Sequence, residues 1–163
     1  MRAVLLADTH IRDGRDRPLD ERVLAAAADA DVILHAGDVT GRELLDQLAG
    51  LAPLRAVLGN NDLGLADTLP TELILDLDGM AVALVHDAGA RGGRAARLAR
   101  RYPETDLVVF GHSHEPENLA PDAGPRIFNP GSPTQRRRAP TRTFGVLDVR
   151  RGRVHRLTHV HLT

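Results

Sequence analysis

The sequence lacks cysteine and lysine and has few aromatic residues: three Phe, one Tyr and no Trp among 163 residues. Without cysteine, the chain cannot form a disulfide, a thiolate zinc site or a cysteine nucleophile. With so few aromatic rings, we do not expect a surface that stacks on nucleic-acid bases. All 21 basic residues are Arg and the net charge is -1, so the overall charge does not favour nucleic acid or an anionic membrane as a partner.

Long hydrophobic runs are also missing. No apolar run approaches the ~18 residues of a membrane-spanning helix, and the apolar start of the chain ends at Asp8, too early for a signal peptide. We therefore expect a cytoplasmic protein with no membrane partner. The hydrophobic content of 42% and the charged content of 26% are those of an ordinary globular protein, and the length predicts a single domain over residues 1–163.

Apolar runs separated by helical patterns predict an α/β protein. Strands are predicted at residues 3–7, 32–36 and 54–58, in a hairpin at 72–77 and 80–85, and at 107–110, 117–120, 126–128, 143–149 and 154–160. Helices are predicted at residues 20–30, with Asp20 as the N-cap, after a capping-box pattern that begins at Thr40, and at residues 92–101. This order predicts either one mixed sheet or two sheets packed together.

Five of the predicted strands are followed by polar side chains of the types that bind metal ions. In chain order these are Asp8 and His10, Asp38, Asn60, His86, and His112 and His114. In open α/β sheets, ligands bind beyond the carboxyl ends of the strands, so we expect these side chains to lie close together. Each motif alone is more often a turn or a helix cap, but five strand ends that all carry such residues indicate a binding site.

The chemistry of this set indicates divalent metal ions. Carboxylates and imidazoles without sulfur suit Mn, Fe, Zn, Co or Ni. Seven side chains are too many for one tetrahedral site, and they suit two ions that share a bridging carboxylate. The sequence therefore predicts two divalent ions per chain, with Mn favoured.

The same residues carry a resemblance to a known family. Asp8-x-His10, Gly37-Asp38, Gly59-Asn60, His86 and Gly111-His112-Ser113-His114 resemble the signature of the calcineurin-like metallophosphoesterases, most closely that of the small single-domain phosphodiesterases of bacteria and archaea. The resemblance implies a four-layer α/β/β/α sandwich of two mixed β-sheets flanked by helices. It also implies that Asp38 bridges two ions, one held by Asp8, His10 and His114 and the other by Asn60, His86 and His112.

The resemblance further implies hydrolysis of small phosphodiesters, with cyclic nucleotides among the candidate substrates, by in-line attack of a hydroxide that bridges the ions. Asn60 and His112 are then predicted to act in catalysis as well as in metal binding, and Asp62 to orient His86, His112 or a water. One position departs from the broad family. Asn61 stands where many relatives have a His credited with protonating the leaving group, and an amide cannot act as an acid at neutral pH.

Substrate contacts are predicted for Asn61, Arg136 and Arg137, because guanidinium groups match phosphate oxygens in pairs. For the arginines a solvated charge run is the alternative interpretation. Two other functions stay open: a nuclease, which the nearly neutral charge disfavours, and a protein-interaction scaffold, since one eukaryotic relative uses this fold in that way. We expect no stable nucleic-acid binding, and the sequence leaves open whether the chain forms a homo-oligomer.

Overall fold

The computed structural model describes residues 1–163 as ten strands, three α-helices and one short 3-10 helix. The strands are β1 (Arg2–Leu6), β2 (Val32–His35), β3 (Leu54–Ala56), β4 (Glu72–Leu77), β5 (Met80–Val85), β6 (Leu107–Val109), β7 (Glu117–Leu119), β8 (Arg126–Asn129), β9 (Arg142–Arg150) and β10 (Arg153–Leu162). The helices are α1 (Glu21–Ala28), α2 (Arg42–Ala49) and α3 (Arg94–Arg101), and the 3-10 helix is Leu63–Leu65.

The strands form two mixed five-stranded sheets. The first has the order β10-β9-β1-β2-β3, and the second has the order β4-β5-β6-β8-β7. Strands β1, β2 and β3 run parallel to one another, as do β5, β6 and β8. In the first sheet β9 pairs antiparallel with both β1 and β10, and in the second sheet β4 and β7 pair antiparallel with β5 and β8. The carboxyl ends of three parallel strands in each sheet therefore point the same way, which is the arrangement that builds a site.

Three separate hydrophobic cores define the layers. Between the sheets lie side chains from both, including Leu5, Leu34, Val82, Leu84 and Phe128. Helices α1 and α2 cover the outer face of the first sheet, and α3 covers the outer face of the second. The alternate residues of β1 enter different cores, which explains why this strand is a continuous apolar run. The expected four-layer α/β/β/α sandwich is confirmed.

The start of α2 differs from the sequence prediction. Thr40 was predicted to begin a capping box, but Gly41 occupies the N-cap position and has no side chain to act as a cap. Instead, the carboxylate of Asp13 accepts hydrogen bonds from the backbone nitrogens of Arg42 and Glu43, at 3.1 and 3.0 Å. The cap comes from a distant loop, so no local pattern around α2 could show it.

The start of α1 agrees with the prediction. The side chain of Asp20 accepts a hydrogen bond of 3.0 Å from the backbone nitrogen of Arg22, which satisfies one of the free donors of the first turn. None of the three helices has the length and apolar character needed to cross a membrane.

Candidate metal centre

The loops that follow β1, β2, β3, β5 and β6 meet at one end of the sandwich. They bring together all seven side chains that the sequence predicts as metal ligands, and each lies within 3.6 Å of at least one other: Asp8, His10, Asp38, Asn60, His86, His112 and His114. The two sheets contribute to the same cluster. The packing of the sheets therefore sets the relative positions of the donor atoms.

The first half of the cluster contains Asp8, His10 and His114. The Nε2 atoms of the two imidazoles are 3.2 Å apart, and Nε2 of His114 lies 3.6 Å from Oδ1 of Asp8. With metal–nitrogen distances of about 2.0–2.1 Å, neighbouring donors of one ion lie about 3.0–3.4 Å apart. The spacing of these three donors suits one divalent ion, and their ligand atoms all lie within 4.8 Å of one another.

The second half contains Asn60, His86 and His112. Oδ1 of Asn60 is 3.0 Å from Nε2 of His86 and 3.0 Å from Nδ1 of His112. Between the halves lies Asp38, whose Oδ2 is 3.4 Å from Nε2 of His10 and 3.5 Å from Nε2 of His86. Asp38 therefore faces donor atoms of both halves.

Asp8 also lies near the second half. Its ligand atom and those of Asp38 and His86 form another group within 4.8 Å. Two carboxylates, and not Asp38 alone, therefore lie between the halves of the cluster.

Most of the predicted ligands have an unusual backbone conformation. Nine residues other than glycine have positive φ, and five of these are predicted ligands: Asp8 (54°), His10 (46°), Asp38 (57°), His112 (70°) and His114 (61°). This left-handed conformation costs roughly 1–2 kcal/mol for a residue with a side chain. Such strain persists only where the surrounding structure enforces it, and it concentrates at functional sites. The fold therefore holds these side chains inward at an energetic cost.

Two glycines allow the ligand loops to approach each other. A Cβ at Gly59 would lie 2.2 Å from both the backbone nitrogen and Oδ1 of Asp38. A Cβ at Gly37 would lie 2.7 Å from Nδ1 of His86, and the φ of Gly37 is +86°. The glycine before Asp38 and the glycine before Asn60 are thus required by close packing of the loops after β2 and β3.

Asp62, predicted to orient His86, His112 or a water, binds the backbone of two ligand loops. It hydrogen-bonds to neither His86 nor His112. Its buried carboxylate accepts three backbone hydrogen bonds, from the nitrogens of Asp38 (2.8 Å), Gly59 (2.8 Å) and Thr40 (2.7 Å). Asp62 therefore connects the loop that carries Asp38 to the loop that carries Asn60, and positions both loops without touching an imidazole.

Asn61, a predicted substrate contact, holds both oxygens of Asp38. Its backbone nitrogen donates to Oδ1 at 2.8 Å and its amide donates to Oδ2 at 2.7 Å. Burial alone would raise the pKa of Asp38, but these hydrogen bonds and the nearby His86 and His10 bring the pKa below its ordinary value. The carboxylate that lies between the two halves is therefore ionised at neutral pH.

Asp8 and two of the imidazoles have perturbed pKa values. Asp8 is fully buried and its Oδ2 has no hydrogen-bond partner. Burial, with a further contribution from the charge of Asp38, raises the pKa of Asp8 to about 8. Burial lowers the pKa of His114 to about 4 and also lowers the pKa of His10. Neutral imidazoles beside an unpartnered carboxylate oxygen are a donor set that fits a divalent cation.

Backbone carbonyls orient two of the imidazoles. The Nδ1 atom of His86 donates to the Ala36 carbonyl at 2.7 Å, and the Nδ1 atom of His114 donates to the Gln135 carbonyl at 2.9 Å. With the proton on Nδ1, each Nε2 presents its lone pair to the cluster. These contacts fix the tautomer that metal binding requires.

The loop after β8 supports the site although it supplies none of the predicted metal ligands. The Ser132 hydroxyl donates to the carbonyl of Asp8 at 2.7 Å, and the Thr134 hydroxyl donates to the carbonyl of Thr9 at 2.7 Å. The Asn129 amide donates to the carbonyl of Gly111 at 2.9 Å. No such role was predicted for this loop, because the hydrogen bonds of Ser132 and Thr134 reach segments more than 120 positions away in the chain.

His35 and Thr9 form a second layer behind the cluster. The buried His35 has Nε2 at 3.0 Å from the Thr9 hydroxyl, and Thr9 lies between two of the predicted ligands in sequence. Burial lowers the pKa of His35 to about 3, so its ring is neutral at physiological pH. His35 supports the loop after β1 through this contact with Thr9.

Arg136 and Arg137, the two arginines predicted to contact the substrate, have different surroundings. Arg136 donates to the carbonyl of Ala139 at 3.4 Å. Arg137 is exposed, makes no side-chain hydrogen bond and has a φ of 44°. Its positive charge partly offsets the burial that raises the pKa of Asp8. The Arg137 guanidinium therefore acts electrostatically on the first half of the cluster.

The layered sandwich and its cluster of carboxylate, imidazole and amide donors define a class of metal-binding α/β proteins. Residues 1–152 match the model of the calcineurin-like phosphoesterase superfamily domain, and the chain belongs to that superfamily. Membership identifies it as a metal-dependent phosphoester hydrolase that binds divalent metal.

Two archaeal relatives agree with this assignment. A probable metallophosphoesterase of Methanothermobacter thermautotrophicus is 33% identical over 137 residues, which cover 80% of this chain and 76% of the relative. A probable metallophosphoesterase of Methanocaldococcus jannaschii is 35% identical over 134 residues, which cover 80% of this chain and 67% of the relative.

Solved structures show the same fold at low sequence identity. Vps29 of Entamoeba histolytica, solved in complex with zinc, has a TM-score of 0.78 at 20% identity. The match covers 99% of this chain and 98% of the Vps29 chain. The phosphoesterase Yfce of E. coli has a TM-score of 0.66 at 21% identity. The match covers 97% of this chain and 98% of the Yfce chain. Proteins with this fold thus include both a phosphoesterase and a vacuolar sorting protein.

Proposed function

We propose that this protein hydrolyses small phosphodiesters with two divalent metal ions, Mn being the favoured ion. The observation that carries the proposal is the position of Asp38. One oxygen of its carboxylate lies 3.4 and 3.5 Å from the Nε2 atoms of His10 and His86, which belong to different halves of the cluster. A carboxylate that faces two donor sets suits a shared ligand between two ions.

The residues that would hold the ions are those of the two halves of the cluster. One ion would be held by Asp8, His10 and His114, the other by Asn60, His86 and His112, and Asp38 would be shared. Ions bound there supply Lewis acidity toward the phosphoryl oxygens and activate water as a nucleophile at neutral pH. The carbonyl oxygen of Asn60 is a neutral ligand, so it adds no negative charge opposite an anionic substrate.

Charge near the substrate would come from Arg137. Its guanidinium is exposed, makes no hydrogen bond and influences the pKa of Asp8. Guanidinium groups bind phosphate oxygens through paired, charge-assisted hydrogen bonds. Arg137 would contact the substrate phosphate, with Arg136 beside it in sequence, and Asn61 would contact it from its position next to Asp38.

The leaving group would receive little help from a general acid. Asn61 occupies the position at which an acid could stand, and its amide already donates to Asp38. General acid catalysis commonly contributes about 10²- to 10⁴-fold in rate. We expect fast cleavage of aryl diesters, whose phenolates leave without a proton, and slow cleavage of alkyl diesters.

The first test combines metal content with turnover. Protein reconstituted with Mn should bind two ions per chain by elemental analysis and should cleave bis(4-nitrophenyl) phosphate. Asp38→Ala should lose most of the activity and tight binding of both ions, because the shared carboxylate is gone. Asp46→Ala changes an exposed carboxylate on α2 and serves as the matched control. Saturation near one ion with full activity would exclude the two-ion proposal.

The second test is a leaving-group series under one metal condition. The wild-type rate of the chemical step should fall steeply as the pKa of the leaving alcohol rises. Asn61→His should flatten that dependence if its imidazole reaches the leaving oxygen. A flat dependence in the wild-type protein would show that another acid already operates at this site.

Two other functions are consistent with the fold. A protein-interaction scaffold is the stronger alternative, because Vps29 shares the fold at a TM-score of 0.78. It would be favoured if the protein bound metal and turned over no phosphodiester. A nuclease is disfavoured by the net charge of -1, since binding to a polynucleotide backbone normally needs a basic track.

A further inference from the structure

A groove of about 410 Å³ extends from the metal centre across the surface. It begins at Thr9 and His10, so it opens directly beside one of the predicted ligands. Further out the groove is lined by Asp16, Arg17 and Asp20 on the loop before α1, by Gln135 before β9, and by Arg142, the first residue of β9. A substrate with its phosphate at the metal centre can therefore extend one arm into this groove.

The two acidic residues of the groove are already paired. Asp16 accepts two hydrogen bonds from the Arg12 guanidinium, at 2.9 and 3.0 Å. Asp20 likewise accepts two from Arg22, both at 3.0 Å. Neither arginine partner lines the groove. The negative charges of Asp16 and Asp20 are therefore neutralised by arginines that do not line the groove.

The two basic residues of the groove are free. Arg17 is exposed and Arg142 is half-buried, and neither makes a salt bridge or a side-chain hydrogen bond. Because both acids are paired with arginines outside the groove, the net charge that faces the groove is positive, although Arg142 also lies close enough to Asp20 to help lower the pKa of that carboxyl. Two guanidinium groups with unused donors, next to a phosphate-processing centre, indicate a second site for an anion.

The groove offers no aromatic ring to a ligand. Its wall contains no Phe, Tyr or Trp, and its one imidazole, that of His10, stacks on His114. All Phe and Tyr residues of the chain are buried: Tyr102, Phe110, Phe128 and Phe144. Recognition in the groove must therefore use charge and hydrogen bonds, and not the stacking that protein sites commonly give a nucleobase.

We propose that Arg17 and Arg142 bind a second anionic group on one arm of the substrate. The preferred substrates would then be phosphodiesters in which one alcohol arm carries its own phosphate or carboxylate. The inference rests on the proposed phosphodiesterase function for its substrate class. Anion binding by the two arginines does not need turnover and can be measured without it.

The binding test uses metal-free protein and inorganic phosphate. In ¹⁵N NMR spectra, phosphate should shift the Nε–Hε signals of Arg17 and Arg142 and leave the signal of Arg91, an exposed arginine outside the groove, unchanged. Arg17→Gln/Arg142→Gln should weaken phosphate binding, and Arg91→Gln should not. Equal responses at all three arginines, or no response at Arg17 and Arg142, would overturn the proposal.

The kinetic test uses three 4-nitrophenyl phosphodiesters whose second arm is 3-phosphopropyl, 3-carboxypropyl or 3-hydroxypropyl. In the wild-type protein kcat/KM should be about 10-fold or more higher for a charged arm than for the hydroxyl arm, as expected for hydrogen bonds to a charged group. The double variant should bring that ratio close to one. The phosphate and carboxylate arms show which anion the groove prefers.

The two tests fail in different ways. Turnover of all three diesters at equal kcat/KM would refute recognition of an anionic arm in the groove and leave the phosphodiesterase function intact. Absence of turnover for all three would refute the phosphodiesterase function, and the phosphate titration would still decide whether the arginines bind an anion.

Discussion

Replacing Asp8 with asparagine should change how the stability of the metal-free protein depends on pH. Asp8 is buried beside the charged Asp38, and its pKa is raised to about 8 from an ordinary value of 3.8. The native state therefore keeps a proton on Asp8 over a range in which the unfolded chain has lost it. Asparagine carries no such proton, has nearly the same shape and tolerates the positive φ of this position.

The sign and size of the effect follow from proton linkage. Between pH 3.8 and about 8, the unfolded state binds one proton fewer at Asp8, so the free energy of unfolding falls as pH rises. The contribution of Asp8 is fully present below pH 3.8 and is lost as pH reaches its native pKa. One proton corresponds to about 1.4 kcal/mol per pH unit. From pH 5 to pH 7, wild-type protein should lose about 3 kcal/mol relative to Asp8→Asn.

The assay is urea denaturation of both proteins at pH 5, 6 and 7 in the presence of a chelator. The difference between their unfolding free energies removes the contribution of the histidines, which both proteins share. If the unfolding free energies of the two proteins depended on pH in the same way, the raised pKa of Asp8 would be refuted. Adding Mn at pH 7 should stabilise the wild-type protein much more than the variant, because a ligand that binds only the native state raises its stability.

Three further substitutions test how the loops are held. Gly59→Ala should weaken metal binding and lower the melting temperature, because its Cβ would lie 2.2 Å from Asp38, whereas Gly64→Ala, with nothing within 4 Å, should do neither. Asp62→Asn should destabilise the protein by roughly 1–3 kcal/mol in urea denaturation, since one amide oxygen cannot accept all three backbone hydrogen bonds. Asp13→Ala should cost about 1 kcal/mol through the lost cap of α2 and should leave the metal content unchanged; a loss no larger than that of an exposed alanine control would contradict the cap.

Local patterns were sufficient to predict most of the elements and the cluster. The strands β1, β2 and β6 are short apolar runs, and such runs are visible in sequence whatever their partners are. The residues that follow strand ends could also be identified, because parallel strands place their carboxyl ends together. The layered arrangement of two sheets came from the resemblance to a family, since strand order depends on contacts between distant segments.

What escaped prediction depends on those distant contacts. The left-handed backbone at Asp8 is accompanied by a hydrogen bond from the backbone nitrogen of His112, 104 positions away. The role of Asp62 depends on three nitrogens from two loops. In β10 the register shifts between Val154 and Arg156, so simple alternation does not describe which side chains share a face along the whole strand. None of these features has a signal confined to one stretch of sequence.

The order of strands in the first sheet has a consequence for biosynthesis. Strand β1 leads into the loop that carries Asp8 and His10, and one of its two neighbours is β9. Arg2 of β1 contacts Asp148 of β9, 146 positions away in the chain. During translation the first strand therefore stays without one edge partner until β9 has left the ribosome. Non-local strand pairing of this kind is intrinsically slow. The nascent chain therefore exposes an apolar strand edge beside Asp8 until β9 has been made, and exposed strand edges of this kind favour aggregation.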